Sequence, residues 1–168
     1  MSDCIRVKTE PQIAILAKLA REIWLEHYVP IIGQAQVDYM LETFQSEAAI
    51  AAQIAGGQEY YLLSDEAVHV GYLGLVPDTV DSAMMISKIY VISERRGDGF
   101  GWKMLDLVES LCRERRISTL WLTVNKNNID AINWYKRMGF SNAGPVVQGI
   151  GGGFVMDDYR MEKQLPLQ

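Results

Sequence analysis

The sequence predicts one α/β domain, residues 1–168, built on a mixed, mostly antiparallel sheet with a central parallel pair and helices on both faces. Three observations support this fold class. Helix-period segments fill the first third of the chain, three strand-like segments follow one another, and strands then alternate with helices. A strand–helix–strand crossover implies a parallel pair inside an otherwise antiparallel sheet. The length is sufficient for one compact domain with its own core.

The first third of the chain is predicted to form one strand and three helices. The segments are the strand IRVKT (5–9) and the helices PQIAILAKLAREIWLEHYV (11–29), AQVDYMLETFQ (35–45) and SEAAIAAQIAGG (46–57). Pro11 suits the first turn of its helix, whereas Pro30 and Gly33 interrupt the helical pattern. Ser46 is a suitable N-cap for the third helix, which the glycine pair at its end would stop.

The remaining segments alternate between β-branched runs and amphipathic ones. They are the strands EYYLLSD (59–65), AVHVGYLGLVP (67–77) and AMMISKIYVI (83–92), the helix GWKMLDLVESLCRERR (101–116), the strand STLWLTVN (118–125), the helix NIDAINWYKRMGF (128–140) and two strands within SNAGPVVQGIGGGFVMDDYRMEKQL (141–165). The GIGGG stretch is either a mobile lip over a site or a flexible hairpin loop.

Composition narrows the functional classes. The net charge of −5 argues against nucleic acid as a partner, and it fits either simple solubility or a cationic substrate. No apolar run reaches the ~20 residues of a membrane span, and the polar start MSDCIRVKTE is unlike a signal peptide, so a cytoplasmic protein is expected. Cys4 and Cys112 make no disulfide framework, and no metal-ligand cluster accompanies them.

A glycine-rich loop precedes the helix that begins near residue 101. In ERRGDGFGWKML, glycines fall at positions 97, 99 and 101. The positive residues around them are Arg95, Arg96 and Lys103. A helix N-terminus presents unbonded N–H groups and the positive end of the helix dipole, which together favour an anion. Glycine lets the backbone approach that anion. The pattern indicates a phosphate site, although a tight turn alone would also require glycine.

Spacing excludes two nucleotide-binding motifs. A P-loop has Lys and then Ser or Thr after its last glycine, but Gly101 is followed by Trp102. The dinucleotide fingerprint has two residues between its second and third glycines, where this chain has only Phe100. That fingerprint also requires an acid at the end of the next strand, where this chain has Asn125.

Two motifs fit a known family instead. The first is Arg-x-x-Gly-x-Gly, at Arg96, Gly99 and Gly101. The second is Asn-x-x-Ala-x-x-x-Tyr-x-x-x-Gly-Phe, at Asn128, Ala131, Tyr135, Gly139 and Phe140. In both motifs and in element order the chain resembles the GNAT superfamily, the Gcn5-related N-acetyltransferases. It departs at Ser93, where many members have Pro. HYVPIIGQAQVDYML and GGGFVMDDYRMEK also resemble the polyamine acetyltransferase branch.

The resemblance implies acetyl-CoA as co-substrate, no metal, and two central strands that separate in a V around pantetheine. The implied cofactor contacts are Ile89, Tyr90 and Val91 for the acetyl and pantetheine groups, Arg96, Gly97, Asp98, Gly99, Phe100 and Gly101 for the pyrophosphate, and Asn128 for pantetheine. Asn128 is equally placed to N-cap the following helix. Proteins of this fold are often homodimers, so a homodimer is one expectation.

Tyr135 is the implied catalytic residue. A phenol with a pKa near ~10 is protonated at neutral pH and can donate a proton to the leaving CoA thiolate. The alternative is an amphipathic tyrosine that packs against the sheet beside Trp134 and Met138.

The acceptor site is implied by position in the fold, between the front helices and the late hairpin. The candidate acceptor contacts are Glu26, His27, Tyr28 and Asp157. The candidates for the base that removes the amine proton are Glu26, His27, Glu94, Asp157 and Asp158. A structural role for His27 and a solvated turn for the two aspartates are the competing interpretations.

Three functions are therefore compared. The first is an acetyl-CoA-dependent N-acetyltransferase that acetylates a primary amine of a small molecule, such as a polyamine, in a ternary complex. The second is acetylation of a protein N-terminus or lysine. The third is a CoA-binding sensor without catalysis, which would not require Tyr135.

Replacing Tyr135 with Phe should lower kcat by ~10²-fold or more, the usual scale for a general acid, and leave CoA affinity nearly unchanged. Initial rates and calorimetric titration of CoA would measure the two quantities. Unaltered turnover would remove Tyr135 from the mechanism.

Overall fold

The computed structural model describes residues 2–166, which contain seven strands and six helices. The elements are β1 (Ser2–Arg6), α1 (Glu10–His27), α2 (Val29–Ile32), α3 (Gln34–Phe44), α4 (Glu47–Ala55), β2 (Glu59–Asp65), β3 (Val68–Asp78), β4 (Ala83–Val91), α5 (Phe100–Glu114), β5 (Thr119–Asn125), α6 (Ile129–Arg137), β6 (Ser141–Gly151) and β7 (Phe154–Gln164). A 3-10 turn at Ser93–Arg95 follows β4. Within the described range, no helix is both long and apolar enough to cross a bilayer.

The strand order is β1-β2-β3-β4-β5-β7-β6. β4 pairs with β5 in parallel, whereas β1–β2, β2–β3, β5–β7 and β6–β7 are antiparallel. The α5 crossover produces the parallel pair, because parallel neighbours cannot be joined by a short turn. The predicted fold class is confirmed.

The front of the chain differs from the prediction in two places. An additional helix, α2, forms at Val29–Ile32, so four helices precede the middle strands rather than three. Pro30 occupies the first turn of α2, where its missing N–H costs nothing, and Gly33 ends it with φ of +88°. β1 covers Ser2–Arg6 rather than residues 5–9, because its partner β2 extends to Asp65 and pairs with Ser2.

Backbone contacts divide the chain into two compact units. The first contains the residues up to Val76 together with Ser87–Val108. Side chains cap two of its helices, and the Ser46 cap was predicted. Thr9 and Gln12 form a capping box at the start of α1, and the Ser46 side chain accepts the Ala49 N–H at the start of α4. The largest fully buried side chains of this unit are Leu16, Ile50, Tyr60, Leu62, Leu63, Tyr72, Leu73, Leu75 and Met104.

The second unit contains Pro77–Ile86 and the chain from Glu109 onward. β5 is central to it, with β4 on one side and β7 on the other. The buried side chains of this unit include Met84, Cys112, Leu120, Leu122 and Met161.

The β6–β7 hairpin also belongs to the second unit. It turns at residues 152–153, so most of the GIGGG stretch is strand and its end is the hairpin turn.

Helix ends cover one of the two faces of the β5–β7 strand pair. Lys163 on β7 is paired in register with Leu120. Its Nζ forms a 2.7 Å ion pair with Glu109 of α5 and donates to the carbonyl of Met138, just after α6. The ends of α5 and α6 therefore lie on the Lys163 face. Because strand side chains alternate, the opposite face carries Asp158, Arg160 and Glu162 of β7 with Trp121, Thr123 and Asn125 of β5.

Gly71 allows β3 and β4 to approach closely within the first unit. A Cβ at this position would lie 2.5 Å from the carbonyl oxygen of Tyr90. Backbone cannot move aside as a flexible side chain can, so a side chain here requires the strands to shift.

Gly71→Ala should therefore destabilise the chain by about 1–3 kcal/mol, the usual cost of overpacking. Gly149→Ala is the matched control, because a Cβ there meets nothing within 4 Å, and its effect should stay within about 0.5 kcal/mol. Urea unfolding of both variants measures the difference. Equal stability of the two would show that the close approach does not require glycine.

Candidate active site

The glycine loop owes two of its glycines to backbone conformation. Gly97 has φ of +88° and Gly99 has φ of +86°, a region that residues with a Cβ seldom adopt. Both glycines are exposed, and a Cβ at either would meet nothing within 4 Å. The turn thus requires glycine for its own geometry, and it leaves open space beside the backbone.

The loop leads into the N-terminus of α5. The N–H of Lys103 donates to the carbonyl of Gly99 over 3.1 Å, which is the first bond of the helix. The N–H groups of Phe100, Gly101 and Trp102 precede that bond and so have no acceptor within the helix. They lie at the positive end of the helix dipole. An exposed loop with these donors is suited to an anion.

The positive residues around the loop have different roles. Arg95 is engaged by two carboxylates, with Nη2 2.6 Å from Asp65 and Nε 2.9 Å from Asp98. Its hydrogen bond holds the pKa of Asp65 below the usual value. Lys103 donates to the hydroxyl of Ser2. Arg95 is therefore paired with carboxylates, whereas Lys103 keeps its charge because the Ser2 hydroxyl is neutral. That Arg95, Arg96 and Lys103 add positive charge at the loop stays a prediction.

Arg96 is the exposed cation of this loop. Its Nε donates to the carbonyl of Val91 over 3.2 Å. Within residues 2–166 it forms no ion pair. Asp98, predicted as a backbone contact, has its side chain bound by Arg95 at i,i+3 spacing, a signal that the sequence already contained.

The β4 residues predicted to contact the acetyl and pantetheine groups are half-buried. These are Ile89, Tyr90 and Val91. Tyr90 belongs to an aromatic cluster, which consists of Trp24, Tyr28, Tyr72 and Tyr90. The Tyr28 and Tyr90 hydroxyls lie 3.1 Å apart, and the Trp24 and Tyr28 ring centres are 4.3 Å apart.

The cluster is held by buried hydrogen bonds. Trp24 Nε1 donates to the Tyr72 hydroxyl over 3.0 Å, and that hydroxyl donates to Gln45 over 2.6 Å. Burial raises the pKa of Tyr72 well above its usual value. Of the predicted acceptor contacts in this unit, Tyr28 lies in the cluster and His27 packs edge-on against Tyr28, whereas Glu26 is exposed.

Sequence reasoning missed Tyr72, Gln45 and Lys88. Burial lowers the pKa of Lys88 to about 8, and its Nζ lies 5.3 Å from the Tyr60 ring centre. A lysine within a strand pattern gives no sign of such burial.

The second motif lies on α6, in the second unit. Asn128 is buried at the N-cap position, but its side chain makes no capping hydrogen bond, so the side-chain capping interpretation is wrong. Its backbone carbonyl accepts the Ile132 N–H instead. Tyr135 is buried, and its ring packs edge-to-face against Phe140 at 5.7 Å and Trp134 at 5.2 Å. The predicted contact of Asn128 and the predicted role of Tyr135 in proton donation stay predictions.

A comparison of the whole chain with known families connects the two motifs. A family model described as the acetyltransferase (GNAT) family matches residues 18–140, which is most of the chain. The chain belongs to the GNAT family of acetyltransferases.

Individual relatives of this GNAT chain are more distant. The 5-NmdU N-acetyltransferase of Pseudomonas phage PaMx11 is 38% identical over 63 residues, which are 38% of this chain and 43% of the relative. The match therefore spans less than half the length of that curated relative.

Two solved structures share the fold. PaiA N-acetyltransferase from Thermoplasma acidophilum, in complex with coenzyme A, has a TM-score of 0.81 and 17% identity, covering 98% of this chain and 99% of its own. The ribosomal-protein-S18-alanine N-acetyltransferase from Escherichia coli has a TM-score of 0.74 and 16% identity, covering 100% and 96%. At such identities these matches establish the fold alone.

The GNAT chain places its two adjacent β7 aspartates in different environments. Asp157 is 59% exposed and forms a 2.7 Å ion pair with Lys126. Asp158 is only 3% exposed, accepts a hydrogen bond from Thr123, and has an Oδ1 without a hydrogen-bond partner among residues 2–166. Burial raises the pKa of Asp158 to about 6.

Because the pKa of Asp158 is raised in the folded state, the free energy of unfolding depends on pH. Its folded pKa of about 6 exceeds the ordinary 3.8, so its contribution is fully present below the unfolded pKa and is lost as pH rises through the folded one. Asp158→Asn removes that loss. Relative to wild type, the variant should gain about 2 kcal/mol between about pH 4.5 and about pH 8.

Urea unfolding at the two pH values measures this gain. Asp106→Asn, at an exposed position of α5, is the matched control and should show no such change. An equal difference between variant and wild type at both pH values would mean that Asp158 has an ordinary pKa.

Proposed function

We propose that this GNAT chain is an acetyl-CoA-dependent N-acetyltransferase that acetylates a primary amine of a small molecule by direct attack in a ternary complex. The observation that carries the proposal is the N-terminus of α5, which follows the exposed Arg96 and the exposed glycines Gly97 and Gly99. We also propose residues 1–168 as one N-acetyltransferase domain, because the GNAT match at 18–140 runs through both units.

The loop residues fit the diphosphate of coenzyme A. The N–H groups of Phe100, Gly101 and Trp102 lack helical acceptors, and Gly97 and Gly99 leave open space beside the backbone. Arg96 has a guanidinium without an ion-pair partner among the described residues. We therefore assign Gly97–Gly101 and Arg96 to the diphosphate. Strand-like pairing with Ile89, Tyr90 and Val91 is assigned to pantetheine, together with a contact to Asn128.

Tyr135 is the proposed proton donor. Acetyl-CoA supplies the activated acetyl group as a thioester, and the thiolate released on transfer needs a proton. A buried phenol is protonated at neutral pH and meets that need. Its ring is fixed between Trp134 and Phe140, which limits the positions of the hydroxyl.

A small-molecule acceptor is favoured over a protein. The phage relative is named as a 5-NmdU N-acetyltransferase, not as a protein acetyltransferase, and the net charge of −5 suits a cationic amine. We propose a polyamine more specifically, and the support is the resemblance of HYVPIIGQAQVDYML and GGGFVMDDYRMEK to the polyamine acetyltransferase branch. The fold does not distinguish a small-molecule acceptor from a protein, because the ribosomal-protein-S18-alanine N-acetyltransferase shares it.

The acceptor class is tested by thiol release from acetyl-CoA in the presence of an amine panel. Diamines, spermidine and 5-NmdU represent small amines, and peptides with a free N-terminus or lysine represent proteins. We expect release with small amines. Turnover of peptides alone would favour a protein acetyltransferase, and tight acetyl-CoA binding with no turnover would favour a sensor.

Arg96→Ala should weaken CoA binding by ~10-fold or more, the scale of a lost charge-assisted hydrogen bond. Acetyl-pantetheine, which lacks the diphosphate, should bind variant and wild type equally. Arg113→Ala, at an exposed position near the other end of α5, is the control and should leave CoA affinity unchanged. Calorimetric titrations decide, and an equal loss for CoA and acetyl-pantetheine would contradict the assignment.

A further inference from the structure

Asp158 is a buried carboxyl that the described fold leaves incompletely bonded. It lies on β7, paired with Asn125 at the end of β5, and is 3% exposed. Thr123 donates to its carboxyl, but Oδ1 has no hydrogen-bond partner within residues 2–166. Burying a carboxylate oxygen without a hydrogen-bond donor costs free energy. A bound ligand that supplies the donor would recover that cost.

The neighbouring cations do not supply that donor. Lys126 is bound to Asp157 at 2.7 Å. Arg160 is bound to Glu162 at 2.7 Å and stacks on the Trp121 ring, 3.9 Å from its centre. Asp158 forms no ion pair with any residue between 2 and 166. A cation with N–H donors, such as a protonated amine, would supply both the missing hydrogen bond and the opposite charge.

Asp158 and the ends of the two helices lie on different faces of the β5–β7 strand pair. Lys163 marks the β5–β7 face that is covered by the ends of α5 and α6. Asp158, with Thr123 and Arg160, lies on the opposite face. α6 carries Tyr135, the proposed donor of the thiolate proton. The proposed proton acceptor therefore lies on β7, apart from the helix that carries the proposed proton donor.

We propose that Asp158 binds the ammonium group of the acceptor and accepts its proton. This inference rests on the proposed N-acetyltransferase function and names the base for it. The ammonium transfers one proton to the Asp158 carboxylate and becomes a neutral amine. The nitrogen then forms a bond to the acetyl carbon and loses its second proton to water, while the carbon–sulfur bond breaks. The thiolate takes a proton from Tyr135, and solvent restores both side chains, with a net release of one proton.

The proposal predicts how rate depends on pH. Burial and the adjacent Asp157 raise the pKa of Asp158, whereas Thr123 and Lys126 lower it, giving about 6. Above that pH the carboxylate is ready to accept a proton, so wild-type kcat/KM should be level until the amine itself deprotonates near ~10. Without the carboxylate, only amine already neutral in solution reacts, and that fraction rises about tenfold per pH unit.

Asp158→Asn tests the proposal with any amine that the wild type acetylates. At neutral pH its kcat/KM for the amine should be ~10²-fold or more below wild type, and this deficit should shrink about tenfold per pH unit toward ~10. Acetyl-CoA affinity, measured calorimetrically, should be unchanged. Asp106→Asn, at its exposed position, should match wild type throughout.

A second variant does not depend on the folding of the first. Thr123→Val removes the hydroxyl that lowers the pKa of Asp158, so the acidic limb of kcat/KM should move to higher pH. An unmoved limb, an Asp158→Asn chain as active as wild type, or a deficit equal at all pH values would each overturn the inference. A wild type that acetylates no amine overturns the proposed function as well, whereas an active wild type confines the failure to Asp158.

Discussion

Arg95 fixes the geometry on which the start of α5 depends. Its guanidinium donates to Asp65 at the end of β2 and to Asp98 inside the glycine loop, and it stacks over Phe100, 4.8 Å from the ring centre. These contacts are near the surface, where ion pairs add little stability. Their effect is to hold Asp98 in place between Gly97 and Gly99, whose positive φ angles turn the chain into the helix.

Because Arg95 is committed to carboxylates, Arg96 is the arginine of this loop that lacks an ion pair among the described residues. Two adjacent arginines thus divide into one that shapes the loop and one that faces outward. A second pair of adjacent like charges, within the second unit, divides in the same way. Asp157 is exposed and paired with Lys126, whereas Asp158 is buried and incompletely bonded. In each pair, two adjacent residues of the same charge differ in burial and in their partners.

The sequence supported most of the fold and one part of the site. Periodicity and turn residues predicted the seven strands found within residues 2–166 and the long helices, since each depends on local pattern and on local caps such as Ser46. It missed α2, because Pro30 was interpreted as a break although proline is tolerated in a first turn. It also assigned Asn128 a possible capping bond that its side chain does not make.

The sequence by itself determined the glycine loop and, through two motifs that resemble the GNAT family, the candidate residues Arg96 and Tyr135, because motifs are fixed by separations along the chain. Only the tertiary structure decided which distant side chains meet and which are buried. Asp65 reaches Arg95 from 30 residues away, Tyr28 meets Tyr90 from 62 residues away, and Asp158 is buried where β7 pairs with β5. Burial and ion pairing arise from contacts between distant segments, and a linear pattern does not encode those contacts residue by residue.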